Sequence, residues 1–94
     1  MRQVLAAAIA SIAAATVAWA EPPAGAVSCS GCHPASARVT SPVPRLNGLD
    51  RAAIVRAMQE FRSGQRTGTV MDRIAKGFTD EEIQAIAAWY ATPR

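Results

Sequence analysis

Cys29-Ser30-Gly31-Cys32-His33 is the stretch on which the reading of this chain turns. It holds both cysteines and the single histidine of the sequence. Two thiols separated by two residues, followed at once by an imidazole, form the C-x-x-C-H pattern of covalent haem attachment. The spacing has a chemical reason. Each sulfur adds to one vinyl group of the porphyrin, so a single turn of backbone makes two thioether bonds and carries the next residue beneath the iron as an axial ligand. Cys29 and Cys32 are thus the candidate covalent attachments, and His33 the candidate fifth ligand.

Other uses of such a stretch fit less well. A thioredoxin-like dithiol belongs in a βαβ setting, and no strand pattern accompanies this one. A tetrahedral zinc site needs four ligands, and the chain offers no further Cys or His. A disulfide closing so short a loop would add little stability and leave His33 without a role.

Upstream of the motif the sequence reads as an address. The chain has 94 residues, half of them hydrophobic and 18 % charged. Much of the apolar share sits in residues 1–20, where Arg2 precedes an uncharged, alanine-rich run from Val4 to Val17. Ala18-Trp19-Ala20 then places small residues where a signal peptidase reads, which predicts a signal peptide over 1–20 and export to the oxidising periplasm. The run to Ala20 is at the lower edge of the length that crosses a bilayer, so no stable membrane span is expected after cleavage.

Residues 21–94 then form one domain. A chain of this size rarely builds enough core by itself and needs a disulfide, a metal or a bound group as a staple. Multi-layer enzymes and polytopic membrane proteins are excluded on length. The formal net charge is +3, and +2 without Arg2. The sequence pI of about 9.5 would suit a nucleic-acid partner, but an exported chain meets little nucleic acid, and none is expected. Basic residues lie mostly between Arg38 and Lys76, ahead of an acidic step at Asp80-Glu81-Glu82. They read as a solvated surface or as a docking face for a protein partner.

Downstream, every periodic segment is helical. Ala24 to Cys32 could hold a short helix ended by Pro34, and residues 35–49, interrupted by Pro42, Pro44 and Gly48, read as a long loop. Asp50 is placed as an N-cap, Ile54, Ala57, Met58 and Phe61 follow at helical spacing, and Gly64 closes the helix. Gln65 to Val70 is polar. Met71 to Lys76 can make a short helical turn ending at Gly77. Thr79-Asp80-Glu81-Glu82 is a capping box, followed by an apolar stripe of Ile83, Ile86, Ala87 and Tyr90 that ends at Pro93. The fold class is all-α, three to four short helices joined by long loops. Large apolar side chains are few: Leu46, Leu49, Ile54, Phe61, Ile74, Phe78, Ile83, Ile86, Trp89 and Tyr90 are most of them. One covalent haem would supply the missing core.

The second axial position separates a carrier from a catalyst. With one histidine in the chain, bis-histidine ligation is impossible, which leaves Met58 and Met71 as strong candidates after signal removal. Met58 lies on the apolar stripe, where core filling accounts for it. Met71 lies 38 residues after His33 at a place no packing period demands, and is the expected ligand. An open or water-bound iron is the remaining alternative. A thioether favours Fe(II) and raises the reduction potential, and with both axial positions closed the expected work is one-electron transfer.

With those residues placed, Ala24 to Ala91 resembles a class I c-type cytochrome, in particular the cytochrome c4/c553 group. Pro42-Val43-Pro44-Arg45-Leu46-Asn47-Gly48 is similar to the family's proline-bearing loop, and Phe61-Arg62-Ser63-Gly64-Gln65-Arg66 to its F-R-S-G-x-R run. Met71-Asp72-Arg73-Ile74-Ala75-Lys76-Gly77-Phe78, with the helix to Trp89-Tyr90, most resembles the cytochrome subunit of flavocytochrome c sulfide dehydrogenase. The resemblance implies that Met71 is the axial methionine, that the Pro44 carbonyl accepts the Nδ1 proton of His33, and that the first and last helices cross. Tyr90 is then the buried aromatic, since it alone continues the last stripe. Pro34 departs from the family, where glycine is common, and the single motif departs from two-haem relatives.

The function expected from this resemblance is periplasmic electron transfer, with the chain as the cytochrome subunit that accepts electrons from an FAD-containing sulfide dehydrogenase. The flavin partner would do the sulfur chemistry, and none belongs to this chain itself. A free, diffusible c553-type carrier is the alternative, and a haem sensor with an open sixth site is a more distant one.

Overall fold

The computed structural model describes residues 20–92, together with Ala13 and Ala15. The expected leader therefore lies almost wholly outside the described residues, as does Pro93. Four helices follow in order: α1 (Ala26–Cys29), α2 (Arg51–Ser63), α3 (Met71–Ala75) and α4 (Asp80–Ala91). Among the described residues there is no strand.

The caps explain the boundaries. The Asp50 carboxylate accepts from the Ala53 backbone N–H at 3.1 Å and starts α2. Gly64 ends α2 in the left-handed region at φ 83°, where a side chain would be strained. The capping box at α4 is complete: Thr79 Oγ1 accepts from the Glu82 N–H at 3.2 Å, and Glu82 Oε1 accepts from the Thr79 N–H at 3.1 Å. α1 is shorter than the sequence predicts, a single turn entered through Gly25 with no side-chain cap. Nothing at its N-terminus answers the first free N–H groups except the carbonyl of Pro23, which accepts from Ala26 at 3.0 Å.

The core is small. Ala26, Ile54, Val55, Ala75, Ile83, Ile86, Ala87 and Tyr90 are its buried members. α2 packs on both α3 and α4, and α1 reaches the cluster through Ala26. The last stripe is as expected, with Ile83, Ile86, Ala87 and Tyr90 all buried. Tyr90 is 4 % exposed whereas Trp89 is half-buried, so the aromatic assignment holds. On α2 the order differs: Ile54 and Val55 are buried, while Ala57, Met58 and Phe61 are half-buried.

Two of the large apolar side chains stand outside this core. Leu49 is 43 % exposed and Ile74 39 %. Leu49 precedes the N-cap and so stands outside the packed face of α2. Ile74 lies a helical step away from Ala75, the residue that α3 buries, and faces outward instead. Val39 and Val70 are exposed as well. The large apolar side chains left outside the core thus fall on the loop after the motif and on the segment around Met71.

Candidate functional site

The motif begins inside α1 and leaves it as a series of tight turns. The N–H groups of Ser30, Gly31 and Cys32 bond to the carbonyls of Val27, Ser28 and Cys29, and the His33 N–H also bonds to the Cys29 carbonyl, at 2.9 Å. Cys29, Cys32 and His33 are therefore held on one continuous coil of backbone. Both thiols are free; Cys29 is half-buried and Cys32 exposed. Burial pushes the Cys29 thiol above its ordinary range, with hydrogen bonds from Tyr90 and from backbone acting the other way.

His33 is oriented by its partner. Its Nδ1 lies 2.5 Å from the carbonyl oxygen of Pro44. A carbonyl can only accept, so Nδ1 carries a proton, and in the neutral ring Nε2 is the nitrogen with the free lone pair. That is the tautomer a metal ligand needs, and a backbone carbonyl on the far nitrogen is the usual device for fixing ring angle and basicity. The loop presenting Pro44 is tied in turn: Arg45 Nε donates to the Ala35 carbonyl at 2.8 Å, and the Gly48 N–H to the Tyr90 carbonyl at 3.0 Å.

Tyr90 connects the motif to the last helix. Its hydroxyl donates to the Ala26 carbonyl at 2.5 Å, and Ser30 Oγ lies 3.1 Å from the Tyr90 hydroxyl oxygen. Gly25 joins the other side. A Cβ at Gly25 would lie 2.6 Å from Phe78 Cε1 and 3.7 Å from Ile86 Cδ1, so the start of α1 abuts the residue that ends the Met71 segment.

Met71 itself opens α3 and is half-buried. Before it, Gly68 passes close to Phe61. After it, Arg62 donates to the Phe78 carbonyl at 3.2 Å and pairs with Asp80, closing the segment against α2 and α4. Sequence reasoning missed these ties of Arg62, which follow from tertiary placement. The F-R-S-G-x-R run was the available signal.

The donor set fits a haem. Two free thiols on one coil can take two vinyl groups, the imidazole is turned so that Nε2 is the nitrogen left for a metal, and a thioether stands on a separate short helix. When bound, haem supplies a one-electron Fe(III)/Fe(II) couple. What the chain's own groups do is orient the imidazole through Pro44, tether the coil to α4 through Tyr90, and hold the Met71 segment at both ends. The grooves along α2, lined by Arg56, Gln59 and Glu60 among others, include none of Cys29, Cys32, His33 and Met71.

No family model matches the sequence. Among curated proteins, the cytochrome subunit of sulfide dehydrogenase from Chlorobaculum tepidum is 42 % identical over 64 residues, 68 % of this chain and 58 % of that protein. Cytochrome c-554(548) of Halomonas halodenitrificans is 32 % identical over 68 residues, and the match takes in 82 % of its length. The chain belongs to the class I c-type cytochromes. As such it carries covalently bound haem c. A thiosulfate dehydrogenase electron acceptor from Stutzerimonas stutzeri is 38 % identical over 65 residues, 67 % of this cytochrome and 30 % of that protein. This cytochrome thus spans only part of the length of the sulfide and thiosulfate dehydrogenase relatives. Among its described residues no helix is long and apolar enough to cross a membrane.

Proposed function

We propose that this cytochrome is a periplasmic one-electron carrier with a single haem c. The haem is bonded through Cys29 and Cys32, and its iron is held by His33 and Met71. The observation that carries this reading is the 2.5 Å contact of His33 Nδ1 with the Pro44 carbonyl, which leaves Nε2 available to iron. Met71 supplies the opposite ligand from a segment pinned by Arg62 on one side and Arg66 on the other. Residues 1–20 are the export signal and 21–94 the mature domain.

The donor is an FAD-containing sulfide dehydrogenase, for which this chain is the electron-accepting subunit. The 42 % identity to the Chlorobaculum subunit supports that reading. A free carrier is the second reading, supported by the match that takes in most of the Halomonas cytochrome.

Spectroscopy tests the ligands. The ferric protein should show the near-infrared sulfur-to-iron band, and the ferrous protein should resist CO; prompt CO binding would overturn the closed site. Co-purification tests the partner: flavin eluting with the haem supports the subunit, and a flavin-free monomer supports the free carrier. Mass spectrometry of the secreted protein should place the N-terminus at Glu21.

A further inference from the structure

Around Phe61, near the end of α2, three elements meet that the ligand assignment leaves unexplained. The guanidinium of Arg66 lies over the Phe61 ring, 5.5 Å from its centroid. Arg66 is itself fixed there. Its backbone N–H donates to the Glu60 carbonyl at 3.1 Å, and its Nε and Nη2 reach Glu60 Oε2 at 2.9 and 2.8 Å. Backbone and side chain therefore return to the same residue, which folds the chain after Gly64 back onto the ring.

The ring edge meets the approach to Met71. A Cβ at Gly68 would lie 2.9 Å from Phe61 Cε1 and 3.3 Å from the Cβ of Met71. The Phe61 ring, the Gly68 backbone and the base of the Met71 side chain are therefore stacked without a methyl's width to spare. By contrast, nothing lies within 4 Å of a Cβ at Gly64. Met71 has no capping side chain at the start of α3, where the Val70 carbonyl accepts from Arg73 and Ile74, and this stack adds a restraint from the N-terminal side.

We propose that Phe61, locked by Arg66, is a positioning residue for the Met71 thioether. The proposal rests on Met71 being the axial ligand. A methionine side chain has three rotatable bonds, and its sulfur is placed only as well as its Cβ is. With the ring held flat by the guanidinium, Gly68 and Met71 cannot drift toward α2. With the ring free, the segment relaxes and another ligand competes more easily for the iron.

The test uses the holoprotein and imidazole as the competing ligand. Imidazole is titrated into the ferric protein while the near-infrared band is followed. Arg66→Gln should lower the half-saturating concentration about threefold, the weight of one exposed cation–π contact. Phe61→Leu should lower it about tenfold, as loss of a large packed side chain implies. The control is Arg56→Gln, which also removes a positive charge and a pairing with Glu60, at 3.9 Å, but does not stack on the ring. It should leave the titration unchanged. Arg66 is largely solvent-exposed, so Arg66→Gln keeps the fold even where Phe61→Leu does not. A titration for Arg66→Gln that coincides with that of Arg56→Gln overturns the proposal. A band that survives Met71→Leu overturns the ligand assignment and the positioning role with it. A band lost in Met71→Leu but equally imidazole-resistant in wild type and Arg66→Gln overturns the positioning role alone.

Discussion

The Tyr90 hydroxyl donates to the carbonyl oxygen of Ala26 across 64 residues of chain, at 2.5 Å. The Tyr90 hydroxyl oxygen also lies 3.1 Å from Ser30 Oγ, so one hydroxyl ties α4 to the first residue of α1 and to the residue that caps its end. Tyr90→Phe leaves the Ala26 carbonyl buried and unpaired, at a cost of ~1–3 kcal/mol. Thermal melts should fall by roughly 4–8 °C per kcal/mol for a domain of this size. Trp89→Phe, at a half-buried position, should lower the melt less. Equal effects would remove the assignment of Tyr90 as the anchor.

Gly25 is irreplaceable for two reasons at once. Its φ of 83° is left-handed, and an added Cβ would press on the Phe78 ring at 2.6 Å. Gly25→Ala should cost ~1–2 kcal/mol for the backbone alone, with the clash in addition. Combining it with Phe78→Leu should recover the packing part but not the backbone part, as read by denaturant melts.

The capping box of α4 gives a smaller and cleaner effect. Thr79→Ala removes the acceptor for the Glu82 N–H and should cost ~1 kcal/mol, with an unchanged visible spectrum.

Arg45 holds the loop that carries Pro44, through its bond to the Ala35 carbonyl. Arg45→Lys keeps the charge and removes the Nε donor. A looser Pro44 carbonyl makes His33 a less basic ligand, which favours Fe(II). The potential should therefore rise, by about 20–60 mV, up to one decade for a one-electron couple. Protein-film voltammetry checks it, and a fall would contradict the argument.

Removing the cofactor is the most severe change. With Cys29→Ala and Cys32→Ala together, no covalent attachment is possible. The residual core is then eight residues, of which only Ile83 is a large side chain fully shielded from solvent. Circular dichroism should show loss of cooperative melting and of most helical signal.

These outcomes also mark what could be read before any coordinates. The helices following Asp50 and Thr79 were legible because their caps are local, a side chain bonding three residues ahead. The terminal stripe was legible because Ile83, Ile86, Ala87 and Tyr90 share one helical face. The motif was legible because its chemistry dictates its spacing. That Leu49 and Ile74 stand outside the core was not legible, since hydrophobicity says that a side chain seeks cover and not where cover lies. Val55 was overlooked because α2 packs on two neighbours and so buries more than one stripe. The ties of Arg62 to Phe78 and Asp80, and of Arg66 to Phe61, depend on how the segment after Gly64 folds back, which no local period encodes.

The thinness of the interior has a consequence for biogenesis. Eight buried residues, three of them alanines, do not commit a chain to its shape unaided. Under the proposed export, a polypeptide of this kind would stay pliable on the ribosome's side of the membrane and could be threaded outward without first being unravelled. With the haem attached as proposed, the porphyrin would complete the core, and folding would be timed by a bond-forming event and not by the end of translation.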